Sequence, residues 1–345
     1  MKKIKILSLF TGAGGMDLGF ILGGCENLRI EKAMKEKEYF QRQRANSFFE
    51  VVWANDIFPE ARETYLKNID KTTYKLGKIE DERVFPKADT VIGGFPCPGY
   101  SIAGPRREED PRNKLYLEFV RVLKEVKPIT FVAENVKGIL SLSDGRVFKR
   151  VLKDFESAGY DVFWKLIDAG DYNAPQKRER VFLVGVKKVF KEKFDFPEKQ
   201  KNKITLRDAI KDLENKYGEY YKGGFSSMYM SRNRKKAWND QSFTIQASGR
   251  HAPLHPSGYP MKKIEKDKWI FQNGESSERR LSVDEIKRIQ TFPDWFSFSK
   301  GASRRNENGK IDFVYKQIGN AVPVELARLI AKKILEMHKK IDKSI

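Results

Sequence analysis

The chain's 345 residues suffice for one large domain or two ordinary ones, and 40% apolar with 12% aromatic content supports a packed core. Apolar segments recur along the whole length, which excludes a disordered chain. With 67 basic against 47 acidic residues the net charge is +20. That excess is either a lysine-rich surface of compositional origin or a surface made for a polyanion, most simply nucleic acid.

The opening "IKILSLF" (4–10) reads as a buried strand, and "MDLGFILGG" (16–24) as the start of a helix. Strand, glycine turn and helix begin a parallel α/β sheet. Residues 26–47 are charged with weak helical periodicity and read as an extended helix or insertion without an assigned function. Further strands are expected at "VVWAND" (51–56), "DTVIGG" (89–94), "ITFVAEN" (129–135) and "RVFLVGV" (180–186). Helical patterns lie between them at 113–126 and 146–159. The alternation predicts a doubly wound, mostly parallel sheet. Near residue 190 the rhythm changes to a charged, proline-interrupted linker. From there to about 312 the pattern is irregular and rich in Arg, Ser, Gly and aromatics, which predicts a smaller second domain over 191–312. "PVELARLIAKKILEMHKKI" (323–341) is an amphipathic helix expected to rejoin the first domain, so that 1–190 and 313–345 form one unit. Two cysteines make no disulfide framework and point to a reducing compartment. The basic, apolar opening is too short for a signal peptide, and no segment approaches a span of ~20 apolar residues. A soluble, cytoplasmic protein is expected.

Four stretches could carry chemistry. In "FTGAGGMDLG" the glycines let backbone N–H groups approach a ligand at a helix start. The sixth position counted from Gly12 is Asp17, so the dinucleotide fingerprint G-x-G-x-x-G is not met. A nucleoside without pyrophosphate suits the turn better, with Asp56 at the second strand's end to hold ribose hydroxyls; the alternative is a plain tight turn. In "GGFPCPGYS", Pro96 and Pro98 restrict the direction of Cys97 at a strand end, where α/β sheets place ligands. Cys97 is thus a nucleophile or a structural cysteine. "AENV" offers Glu134 as a protonated donor, or a capping pair with Asn135. "QKRERVF" places Arg178 and Arg180 two apart, suited to a phosphate or keto oxygen or simply a basic strand end.

In this order, and followed by "QIGNAVP" (317–323), these motifs resemble the cytosine-5 DNA methyltransferase family over about residues 4–335. The resemblance implies a large domain binding S-adenosyl-L-methionine, a small target-recognition domain and double-stranded DNA between them. It implies Cys97 as nucleophile, Glu134 on the base, and Arg178 and Arg180 holding the flipped cytosine and its backbone. Phe10, Gly12, Ala13, Gly14, Gly15, Asp56, Ile57, Ile79, Gly94, Pro96, Leu115, Asn320 and Val322 would surround the cofactor. The stretch 101–114 corresponds to a loop that closes over DNA, with Ser101, Arg106 and Arg112 as contacts. Residues 228–256 are similar to the recognition region of a subgroup that reads short GC-rich palindromes such as GGCC. Arg232, Arg234 and Arg250 are the expected guanine contacts, with Gln246 beside them. The family usually has glutamate where Asp56 stands, an aspartate where Lys78 stands and glutamine where Pro98 stands. With Lys78 there, Glu80 or Asp81 would have to meet the adenine amino group. A monomer acting beside a cognate restriction endonuclease is expected, with no metal. A transfer-RNA cytosine-5 methyltransferase and a catalytically silent DNA-binding homologue are the competing readings.

Overall fold

A computed structural model describes residues 2–69, 74–96, 115–301 and 306–344. Seven strands form its main sheet: β1 Ile4–Leu9, β2 Phe49–Asp56, β3 Tyr74–Leu76, β4 Thr90–Gly93, β5 Thr130–Val136, β6 Tyr160–Asp168 and β7 Glu179–Lys187. Their order is β3-β2-β1-β4-β5-β7-β6. The first five are mutually parallel, whereas β7 runs antiparallel to both β5 and β6. The five expected strands are all present. β3 and β6 were not anticipated: β3 is three residues long, and β6 is a half-exposed edge strand without a continuous apolar run.

The sheet is buried on both faces, which is why its strands read as apolar runs and not as alternations. Ile4, Ile6, Ile92, Val132 and Phe182 belong to one core. Their chain neighbours Leu7, Leu9, Val91, Phe131, Ala133, Val181 and Leu183 belong to the other. Helix α1 (Gly15–Gly23) packs on the first side together with α10 (Val324–Ser344), so the C-terminal helix does return to the sheet. Gly15, Gly19 and Gly23 stand four apart on the α1 stripe facing α10. A Cβ on Gly19 would lie 2.4 Å from the Ala327 Cβ, and one on Gly23 2.7 Å from the Ala331 Cβ. Only glycine admits so close an approach. On the second side, α5 (Leu115–Val126) and α6 (Arg146–Ser157) supply Phe119, Leu123, Val151 and Phe155. Helix α4 (Pro59–Asn68) follows β2.

The 26–47 segment forms two short helices, α2 (Ile30–Lys35) and α3 (Lys37–Arg44). They seat on the segment around Trp295, which stacks on Phe40 at 5.0 Å and donates to the Ala33 carbonyl at 2.9 Å.

A third core joins α7 (Leu206–Ile210), α8 (Val283–Ile289) and α9 (Glu307–Asn320) through Leu206, Ile210, Ile245, Ile286, Ile289, Val314 and Ile318. The hairpin β8 (Lys262–Glu265) and β9 (Lys268–Ile270) lies beyond it. The expected boundary between 312 and 313 falls inside the continuous helix α9, which packs with residues 206–289. Among the described residues no helix is long and apolar enough to cross a membrane.

Candidate active site

The first part of the site is the turn from β1 into α1. Phe10, Gly12 and Gly14 all have positive φ, at 53°, 54° and 85°. At Gly14 a side chain would also strike the Ile69 Cδ1 at 2.2 Å, so glycine is required twice over there. The turn is held from below by Asp17. This fully buried carboxylate accepts from Ser8 Oγ at 2.9 Å, Thr11 Oγ1 at 2.7 Å and Tyr65 OH at 3.1 Å. Burial raises its pKa, and the three hydroxyls oppose that shift. Asp17 was visible in the sequence only as the residue that breaks a dinucleotide fingerprint; its role needs three partners from separate segments.

Asp56 ends β2 beside this turn. One of its oxygens accepts the Gly12 N–H at 2.9 Å and the other the Phe58 N–H at 3.1 Å. Burial pushes its pKa up, against those N–H donors and the Lys316 cation. A Cβ on Gly12 would meet nothing within 4 Å, so the turn is open there. Ile57, 55% exposed, presents an apolar side chain next to Asp56. An open glycine turn, a carboxylate for paired hydroxyls and an exposed apolar wall fit a nucleoside such as that of S-adenosyl-L-methionine. Ala13 and Gly15 are buried, and Ile79 is buried after β3. Leu115 is half-buried at the start of α5, and Lys78, Glu80 and Asp81 are exposed. The end of α9 and the turn after it (319–322) close this side: a Cβ on Gly15 would lie 2.8 Å from the Val322 carbonyl. Val322 itself is buried and Asn320 exposed.

The second part lies at the ends of β4 and β5. Asn135 donates from Nδ2 to the Phe95 carbonyl at 3.1 Å, anchoring the turn that leads to Pro96. A Cβ on Gly94 would stand 3.0 Å from Glu134 Oε2, so glycine lets the turn pass directly beside that carboxylate. Glu134 Oε1 meets Arg180 Nε at 3.0 Å, with side chains 12% and 15% exposed. Burial raises the Glu134 pKa, with Arg180 and Arg178 opposing it, and burial lowers that of Arg180. Cys97, Ser101, Arg106 and Arg112 lie outside the described residues. Cys25 is buried, with its thiol against the Ile21 carbonyl at 3.2 Å and its pKa raised by burial. That setting makes it unreactive.

Arg178 does not share the position of Arg180. It precedes β7, is 2% exposed, and donates to the carbonyls of Ile245 at 3.1 Å, Gly319 at 2.8 Å and Ala321 at 3.1 Å. Its guanidinium therefore ties backbone segments together, which corrects the expectation that it faces substrate beside Arg180. Arg234 needs a similar correction. It is buried, stacks over the Tyr229 ring at 4.8 Å and donates to the Tyr229 carbonyl at 3.1 Å, so it does not project to a groove. Arg232 and Arg250 are exposed and Gln246 is half-buried. Arg250 is presented by a turn in which Asp312 accepts from Ser248 Oγ at 2.9 Å and the Gly249 N–H at 2.7 Å.

Residues 4–336 match the C-5 cytosine-specific DNA methylase family. The Type II methyltransferase M.BspRI of Lysinibacillus sphaericus is 52% identical over 347 residues, 97% of this chain and 82% of that protein. M.BsuRI of Bacillus subtilis, also a Type II methyltransferase, is 50% identical over 345 residues, 96% of this chain and 79% of its own length. A prophage-encoded E. coli protein described as a DNA modification methyltransferase shares the fold, with a TM-score of 0.69 at 21% identity over 98% of this chain and 100% of that one.

Proposed function

Since the chain belongs to the C-5 cytosine-specific DNA methylase family and is a DNA (cytosine-5) methyltransferase, we propose that it draws its methyl group from S-adenosyl-L-methionine and acts through a transient bond from Cys97 to a flipped cytosine. The Glu134–Arg180 pair beside the Gly94 turn carries this reading.

The target carbon is inaccessible within a stacked duplex, so the nucleotide is turned out at a cost of a few kcal/mol. The Cys97 thiolate adds to carbon 6, and the displaced π pair makes carbon 5 nucleophilic. Glu134, whose pKa burial raises against the pull of Arg180 and Arg178, is the group that delivers a proton to ring nitrogen 3 as that charge develops. Arg180 holds Glu134 in place and addresses the 2-keto oxygen. When bound, S-adenosyl-L-methionine supplies an electrophilic sulfonium methyl group for carbon 5; Asp56, the Gly12–Gly15 turn and the 320–322 segment at the end of α9 would hold it. Loss of the carbon-5 proton to a base such as water then re-forms the ring double bond, expels the Cys97 sulfur and returns the nitrogen-3 proton to Glu134.

Residues 191–312 form the proposed target-recognition region, with α9 shared between it and the catalytic region. Exposed Arg232 and Arg250, in a stretch similar to readers of GGCC, support a short GC-rich palindrome as the site. The +20 charge supports phosphate contacts, and with them DNA binding that falls steeply with salt. The Type II relatives support a role beside a restriction endonuclease. The test is covalent trapping on duplex DNA containing 5-fluorocytosine. The wild type is expected to be trapped and Cys97→Ala not; methylation surviving Cys97→Ala overturns the mechanism. Bisulfite sequencing of plasmid DNA from an expressing host reads out the site.

A further inference from the structure

Between the two halves of the site lies a buried polar cluster to which no step above gives a role. Gln176 and Gln290 are fully buried, and Gln290 shares the Ala321 carbonyl as an acceptor with the buried Arg178 tether. Gln176 Nε2 donates to Gln290 Oε1 at 2.6 Å and to the Ile289 carbonyl at 3.0 Å, while its Oε1 accepts the Ile245 N–H at 3.2 Å. Gln290 Nε2 donates to the carbonyls of Ile318 at 2.6 Å and Ala321 at 3.1 Å. Carbonyls can only accept and the Ile245 N–H can only donate, so both amides have a single orientation. Paired amides of this kind, each held in one orientation, favour a single arrangement of the segments they join.

Those segments carry the proposed ligand contacts. Gln246, on the DNA side, follows Ile245, whose N–H is held by Gln176 and whose carbonyl is held by Arg178. Asn320, on the cofactor side, lies between Gly319 and Ala321, whose carbonyls both accept from Arg178. The two strips also touch, since a Cβ on Gly319 would lie 2.3 Å from the Gln246 carbonyl oxygen. We propose that Gln290 is a positioning residue that couples DNA binding to cofactor binding by latching the 245–247 segment to the C-terminal end of α9 and the turn after it (318–322) through Gln176 and Arg178. A shift of either strip toward its ligand-bound position is then carried to the other, so that binding at one site lowers the cost of binding at the other. The proposal rests on the reading of Gln246, Asn320 and Val322 given above.

The test measures the Kd of S-adenosyl-L-homocysteine for the full chain by calorimetry, with and without a saturating cognate duplex. The wild type is expected to bind more tightly with DNA, within the ~5–150-fold range typical of coupled sites. Gln290→Leu is expected to bring that ratio to within about twofold of one. Gln176→Met, which cuts the latch from the other end, is expected to do the same and decides the matter should Gln290→Leu not fold. A merely destabilised fold moves the ratio the other way, because DNA then also restores the competent population. A wild-type-like or larger ratio in both variants, or a wild-type ratio of one, overturns the latch alone. A wild type that binds neither probe overturns the reading of the site and the latch with it.

Discussion

Substituting Gly19 tests whether the α1–α10 contact sets the position of the turn between α9 and α10. In Gly19→Ala the new Cβ would stand 2.4 Å from the Ala327 Cβ, 2.7 Å from the Val324 carbonyl oxygen and 2.9 Å from the Arg328 nitrogen. Carbon atoms in contact normally sit ~3.5–4.0 Å apart, so the helices must separate by about 1 Å. Two of the three obstacles are backbone atoms and cannot rotate away. Overpacking of this kind costs about 1–3 kcal/mol, and the better helix propensity of alanine returns up to ~1 kcal/mol. With all three contacts under 3.0 Å the cost falls in the upper part of that range, about 2–3 kcal/mol, so the net loss expected is about 1–2 kcal/mol for Gly19→Ala, rising above ~3 kcal/mol for Gly19→Val, which adds two methyl groups beyond alanine with little propensity gain. Gly224→Ala is the control: a Cβ there meets nothing within 4 Å, and a compatible Gly→Ala change is expected to be neutral or to stabilise by ~0.4–1 kcal/mol. Urea unfolding at constant m gives the stability change. Because the Val322 carbonyl lies against Gly15 on the same stripe, affinity for S-adenosyl-L-homocysteine should fall in the same order. A Gly19→Ala protein as stable as the wild type would refute the reasoning.

Glu134→Gln leaves an amide that cannot deliver a proton to ring nitrogen 3, so methylation should slow by ~10²–10⁴-fold; single-turnover rates above one tenth of wild type would exclude that role. Arg250→Gln should relax base discrimination by ~1–3 kcal/mol, read from binding to duplexes with single base-pair changes. Arg234→Gln, by contrast, should lower stability and leave base preference intact, because that side chain stacks on Tyr229; relaxed preference without lost stability would contradict its placement. His338, buried between Thr90 and Thr130 with its Nε2 3.0 Å from each hydroxyl, has its pKa lowered from 6.5 to about 4, chiefly by burial. Between those values the unfolded chain takes up the proton first, so stability is present above pH ~6.5 and is lost on acidification, by up to about 3 kcal/mol at pH ~4. His338→Gln should flatten that part of the stability–pH curve, and an unchanged slope would dismiss the assignment.

The readable features of the chain are local or periodic. Buried strands announce themselves as apolar runs because both sheet faces are covered. The turn at Gly12–Gly15 announces itself because positive φ favours glycine, and the amphipathic pattern of α10 records its single buried face. The motif order sufficed for the family because each motif sits at a strand end or helix start that the fold must supply. Pairing and facing were not readable. β7 enters the sheet antiparallel between β5 and β6 because of partners 11 to 56 residues away. Arg178 and Arg180 look equivalent in "QKRER", yet one meets a carboxylate across the sheet and the other three carbonyls contributed by residues 67 to 143 positions distant. Arg234 looks like Arg232 until Tyr229 folds beneath it. Composition and spacing determined which elements form and which chemistry is at hand. Only the packed chain decided which charges are spent on holding it together, because a guanidinium's role is set by the acceptors that surround it and those come from elsewhere in the sequence.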